Sequence, residues 1–116
     1  QGGQMNDAVV LAAILDSLKE PILVADTDHK TFYMNQAATE FYTGGESLIG
    51  RSLLECHNEE SQKTMIEILA AMHQGEDERI ITNNEEEKIY MRVVRDADGQ
   101  VVGYYERYEP PDSAMD

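Results

Sequence analysis

Basic residues are scarce in this chain. Nine Lys and Arg stand against 23 Asp and Glu over 116 residues, a formal net charge of −14. Such a field repels phosphate backbones and anionic lipid headgroups, which argues against nucleic acid and a membrane surface as partners. Cysteine is nearly absent. Cys56 alone can neither close an intrachain disulfide nor supply the thiolates of a structural zinc knuckle, and a reducing, cytoplasmic setting is the expectation. Long hydrophobic runs are missing as well. No apolar stretch approaches the roughly 20 residues of a membrane-spanning helix, and no secretory leader pattern is visible. The chain also has no phosphate-binding glycine loop, because Gly44-Gly45 lacks the rest of any such motif.

What remains is the patterning of one globular core. Hydrophobic residues make up 41% of the chain and aromatic residues 7%, which separates it from disordered sequences, and its length suits a single domain. Residues 1–5 carry no pattern and read as an appended scar or a disordered start. From Asn6 to Glu20 the sequence turns helical, with Asn6 as cap and Leu11, Ile14, Leu15 and Leu18 spaced along one face. A terminal helix this apolar must cover its own sheet or a partner. Pro21 stops it, since proline has no amide proton and biases Glu20 away from helical angles.

Ile22 to Ala25 reads as a strand, Thr27 to Lys30 as a polar turn, and Thr31 to Met34 as a second strand with Phe32 and Met34 on one face. Asn35 then caps a short helix carrying Ala37, Ala38, Phe41 and Tyr42, ended by Thr43-Gly44-Gly45. Residues 46–56 form one or two single-turn helices around Gly50. Glu59 and Glu60 suit the positive end of a longer helix that places Met65, Ile68, Leu69 and Met72 on one face and closes near Gly75. Beyond it the period falls to two. Three strands follow at Arg79–Thr82, Lys88–Arg95 and Val101–Tyr108, the last pair joined by the Asp98-Gly99 hairpin signal. Pro110-Pro111 ends the fold, and 110–116 form a tail.

Catalytic and metal sites find little support in these residues. Cys56 and His57 offer a nucleophile and a base, but neighbours in sequence point apart and no third group orients them. Asp26-x-Asp28 opens like a calcium loop, yet Lys30 occupies the fifth ligand position and no glycine follows at the sixth. The acidic runs at 76–78 and 85–87 read as solvated faces. Neither a catalytic residue nor a metal ligand is assigned.

Three stretches, in this order, carry a family resemblance: Leu15 to Tyr42 (LDSLKEPILVADTDHKTFYMNQAATEFY), Leu48 to Ser61 (LIGRSLLECHNEES) and Arg95 to Tyr108 (RDADGQVVGYYERY). Together they resemble a PAS domain from about Ala13 to Glu109. The resemblance implies an α+β fold over 21–109: a five-stranded antiparallel sheet in the order 2-1-5-4-3, helices on one face, and the N-terminal helix of 6–20 ahead of it. PAS domains are sensory and interaction modules rather than catalysts. Some hold haem, flavin or a metabolite between sheet and helices, and others only dimerise. The expected exit motif Asp-x-Thr is replaced by Tyr108-Glu109-Pro110-Pro111, which leaves the N-terminal helix as the better route to a partner.

The walls of that implied space are Tyr42, Leu53, Leu54, His57, Met65, Ile68, Leu69 and Met72, completed from strand 88–95 by either Ile89, Met91 and Val93 or Tyr90, Arg92 and Val94. A slip of one residue exchanges the two strand sets, so both stay open, and Tyr90 and Arg92 are carried as ligand candidates. Haem ligation stays open through His57 or His73, with His29 placed in a turn away from the pocket. The reactive cysteine of LOV-type flavin photochemistry is absent, since Arg51 is followed by Ser52-Leu53. The reading expects a cytoplasmic signalling domain within a larger regulator, homodimeric, recognising a small molecule or a protein partner. Two alternatives are a dimerisation module with a filled core and a haem-based redox or gas sensor.

Overall fold

The computed structural model describes residues 7–109; the Asn6 cap, the segment 1–5 and the tail from 110 lie outside them. In chain order the elements are α1 (Asp7–Asp16), β1 (Ile22–Asp26), β2 (Thr31–Met34), α2 (Gln36–Phe41), 3-10 turns at Gly45–Leu48 and Leu53–Cys56, α3 (Glu59–His73), β3 (Glu78–Asn83), β4 (Lys88–Arg95) and β5 (Val101–Glu109). The strands form one antiparallel sheet in the order β2-β1-β5-β4-β3. The inner face packs on α2, the 3-10 turns and α3, with Leu23, Met91 and Tyr104 meeting Ala38, Leu53, Met65, Ile68, Leu69 and Met72.

α1 ends well short of Pro21. A continuing helix would give the Leu15 carbonyl to the amide of Lys19, but the side-chain amide of Asn35 donates to that carbonyl at 2.8 Å. Ser17 turns its hydroxyl onto the Ile14 carbonyl at 2.6 Å, and the Asp16 carboxylate accepts from the Tyr33 hydroxyl at 2.8 Å and the Gln36 amide at 3.0 Å. Tertiary partners therefore occupy groups at the end of the helix. α3 ends nearer its expected position, with Asn58 capping its start by accepting from the Ser61 amide at 2.8 Å and Gly75 taking φ 115° just past its end.

Register decides which side chains face the helices. On β4 the buried set is Ile89, Met91 and Val93, which settles the alternative left open by alternation. On β2 the expected pairing of Phe32 with Met34 on one face does not hold. A register shift between Val24 and Ala25 brings Thr31 and Met34 inside and leaves Phe32 58% exposed. On β5, Gly103 lies so close to β1 that a Cβ there would stand 2.2 Å from the Ala25 carbonyl oxygen. Only glycine permits that approach.

Asn35 is fully buried and ties these layers together. Its side-chain oxygen accepts from the amides of Ile22 and Ala38, each at 2.9 Å, and its nitrogen donates to the carbonyls of Leu15 and Glu20 at 2.8 and 3.0 Å. Two acceptor and two donor positions are all that the group has. Asn35→Ala should cost about 3–5 kcal/mol, four hydrogen bonds at roughly 1 kcal/mol each plus the penalty of buried groups left bare. Asn35→Asp, which sets a carboxylate against two carbonyls, should cost at least as much. Urea denaturation of the two variants measures this, and a loss below about 1 kcal/mol in both would show that water replaces the network.

Candidate functional site

The inner face of the sheet is apolar except for a line of polar groups along β5 and the β1–β2 turn. Glu106 lies in register between Leu23 of β1 and Met91 of β4, both fully buried. It is itself only 5% exposed. The Tyr42 hydroxyl, at the end of α2, donates to its Oε1 at 3.3 Å. Its Oε2 is buried and has no hydrogen-bond partner among the described residues.

Two residues along β5, the Tyr104 hydroxyl meets Nδ1 of His29 at 2.8 Å, the two rings edge to face at 5.5 Å. His29 is buried rather than placed away from the interior, which corrects the position expected from its turn. The cause is local. Asp26 Oδ1 accepts from the amides of Asp28 and Lys30, His29 adopts φ 64°, and its side chain lies against Tyr104. The Leu53 amide donates to the His29 carbonyl at 2.8 Å, which pins the Gly50–Leu53 segment to the same turn. Thr31 Oγ1, also buried, has no hydrogen-bond partner among the described residues.

Burial sets the protonation of this line. It pushes the Glu106 carboxyl above the usual carboxylate range, with the nearby His57 and the Tyr42 hydrogen bond pulling the other way. The Tyr42 and Tyr104 hydroxyls are pushed far up by burial and then by the Glu106 charge. Desolvation lowers His29, opposed by the carboxylates of Asp26 and Asp28. A neutral His29 beside a neutral Tyr104 is therefore the resting pair.

The residues named from sequence separate into three places. Leu53, Met65, Ile68, Leu69 and Met72 are buried in the core, with Tyr42 and Leu54 half-buried against it. His57 sits at a cleft of about 220 Å³ that it shares with Asn58, Ser61, Thr64, Met65 and Ile81, and its Nδ1 lies 2.7 Å from the Leu53 carbonyl. Tyr90 and Arg92 are on the opposite face of the sheet, where the Arg107 guanidinium covers the Tyr90 ring at 4.0 Å and Arg92 pairs with Glu78 at 3.5 Å. That face removes them from the space between sheet and helices. His73 is exposed at the far end of α3 from His57, about 22 Å away at 1.5 Å per residue, so the two histidines cannot serve one ligand. The expected set omitted Glu106, Tyr104, His29 and Thr31. The signal for the first two was parity: Tyr104, Glu106 and Tyr108 alternate along β5 on one face.

A second concavity lies outside. The turn after α1 and the outer face of the sheet bound a groove of about 670 Å³ lined by Leu15, Leu18, Ile22, Val24, Tyr105 and Arg107, among others. Among the described residues no helix is long and apolar enough to cross a membrane, and no group of three or more His, Cys, Asp or Glu is placed to hold a metal ion.

A raised carboxyl value has a definite sign in stability. The folded chain holds the Glu106 proton more tightly than the unfolded chain, so this stabilisation is complete below the ordinary carboxylate range and is lost as pH rises through the folded value. Denaturation midpoints of the unsubstituted chain and Glu106→Gln should therefore coincide in acid and separate toward neutral pH, with the Gln variant the more stable there. Parallel curves over that range would mean a solvated carboxylate.

A family model described as PAS fold matches residues 15–111. Among solved structures, a C-terminal domain from Streptococcus mutans superposes with TM-score 0.76 at 18% identity, covering 99% of this chain and 92% of that one. The PAS domain of Bordetella pertussis BvgS gives 0.66 at 15%, covering 95% and 92%. The Vibrio cholerae VqmA dimer gives 0.63 at 14%, covering 96% of this chain and 55% of that one. No curated protein matches by sequence. With the matched segment spanning most of its length and the sheet order in agreement, the chain belongs to the PAS-fold family.

Proposed function

We propose that this PAS domain is the pairing and sensing module of a signalling regulator, and that two copies associate through α1 and the outer face of the sheet. The observation that carries the reading is that α1 buries none of its residues while Val9, Leu11 and Ile14 are each more than half exposed. Helices of this composition are ordinarily covered. The second copy is the favoured occupant on grounds of charge. The chain as a whole is strongly acidic, but between Asp7 and Asp16 the α1 residues Ala8 to Leu15 include no charged side chain, so this stretch is a neutral strip where two like-charged domains approach at least cost. The groove beside it continues the same apolar surface onto β1 and β5. The related VqmA is described as a dimer.

A second reading, recognition of a small molecule between sheet and helices, is favoured by the buried and unpartnered Glu106 Oε2. PAS domains are generally sensory, non-catalytic modules. Haem through His57 or His73 draws less support, because both imidazoles are exposed at the surface, His73 at the distal helix end, rather than directed into the core.

Sedimentation equilibrium tests pairing. The unsubstituted chain should be dimeric and should tighten as salt screens its net charge. Leu11→Asp/Ile14→Asp should weaken the dimer by about 100-fold or more, since each apolar side chain buried at the interface contributes about 1.5–3 kcal/mol. A folded double variant that pairs as tightly as the parent would place the interface elsewhere.

A further inference from the structure

The interior carboxyl specifies more than the presence of a ligand. We infer that Glu106 anchors the nitrogen of a small molecule carrying one ammonium or amidinium group on an apolar body, reached from the cleft beside His57. The inference rests on the small-molecule reading above and adds the ligand's chemical class.

Three observations carry it. One oxygen of Glu106 is held by Tyr42, and the other is buried with no hydrogen-bond partner among the described residues. Buried acceptors are almost always paired, and an unpaired one ordinarily marks a role. The neighbours in register are Leu23 and Met91, fully buried, and the helices opposite contribute Ile68, Leu69 and Met72 to the same core. A ligand body meeting these walls is apolar, and its polar end is at Glu106. Finally, Met65 connects the surface to this interior: it lines the cleft beside His57 while belonging to the core.

Charge selects the class. A carboxylate or phosphate ligand would enter this interior with no cation to meet it, since no lysine or arginine is buried among the described residues. An ammonium or amidinium instead offers the N–H donors that Oε2 lacks and compensates the charge of the anion, the pairing that makes buried charge tolerable. The domain's net charge of −14 also concentrates cations around it. Binding is proton-balanced. The protonated carboxyl gives its proton to the buffer as the ammonium docks, leaving carboxylate and ammonium paired, so about one proton is released per ligand at a pH where Glu106 starts neutral.

The test uses the full chain and four probes of similar shape: 2-phenylethylamine, benzamidine, 2-phenylethanol and 3-phenylpropionate. Met methyl NMR titrations report entry into the core, and affinities are compared between the unsubstituted chain and Glu106→Gln. The two cationic probes should shift the Met91 methyl, bind at least about tenfold tighter than the alcohol, and lose at least about tenfold in the variant. Equal binding of the alcohol or the propionate, or cation binding unchanged in Glu106→Gln, overturns the ligand class and leaves small-molecule recognition standing. If no probe of any charge moves the Met91 methyl, both fail. Should Glu106→Gln not fold, calorimetry of the amine in two buffers of different ionisation heat decides on the unsubstituted chain: about one proton released per ligand supports the pairing, and none overturns it.

Discussion

The side chain of Asn35 directs all four of its hydrogen bonds to backbone groups of four segments: the end of α1, the linker before Pro21, the start of β1 and the first turn of α2. The amides of Ile22 and Ala38 would otherwise be unpaired donors in the interior, while the carbonyls of Leu15 and Glu20 lie nearer the surface. The constraint is geometric as well as energetic. It fixes where α1 stops, and therefore where its uncovered apolar surface stands relative to the sheet. Tyr33 adds to the same junction, donating to the Ala12 carbonyl at 3.1 Å and to Asp16, and its hydroxyl is pushed up to about 12 by burial and by that carboxylate.

With α1 fixed, the sheet presents two faces of different chemistry. The outer one joins Ile22, Val24 and Tyr105 to the turn after α1 and is rimmed by Arg107, which pairs with Glu78 and Glu109. The inner one is a packed apolar layer interrupted by Glu106, Tyr104 and His29. Because side chains of one strand alternate between faces, Tyr104 and Glu106 on one side and Tyr105 and Arg107 on the other share a single segment of β5. A change in the charge of Glu106 inside and a change in pairing outside would thus act on the same strand. Arg95 holds the far end of the layer, donating to the carbonyl of Met72 in the last turn of α3 and to that of Glu76 just beyond it.

Much of this was legible in the residues. The strand order follows from the resemblance carried by three stretches, and the buried stripe of α3 from its helical spacing. The Asn35 cap follows from residue type, whereas the Asn58 cap of α3 emerges only from the structure. The parts that were not legible have physical causes. Asn35 truncates α1 through contacts distant in sequence, which no local propensity reports. A register shift between Val24 and Ala25 turned Phe32 outward. Alternation leaves the face of β4 undecided, since Tyr90 and Arg92 carry apolar bodies with polar tips and Val94 is apolar, a set that suits either side. Glu106 carries no local mark of burial, because an acidic residue in a strand ordinarily belongs outside. The left-handed backbone of His29, which lays its ring against Tyr104, has no sequence signature.

The central claim is the division of labour between the two faces, and a dilution series of amide and methyl NMR spectra tests it most directly. The account predicts that dissociation moves resonances of Val9, Leu11, Ile14, Val24 and Tyr105 while the methyls of Met65, Met72 and Met91 stay in place. Concentration-dependent shifts centred on the exposed side of α3, at Lys63 and Ile66, with α1 unaffected, would contradict it.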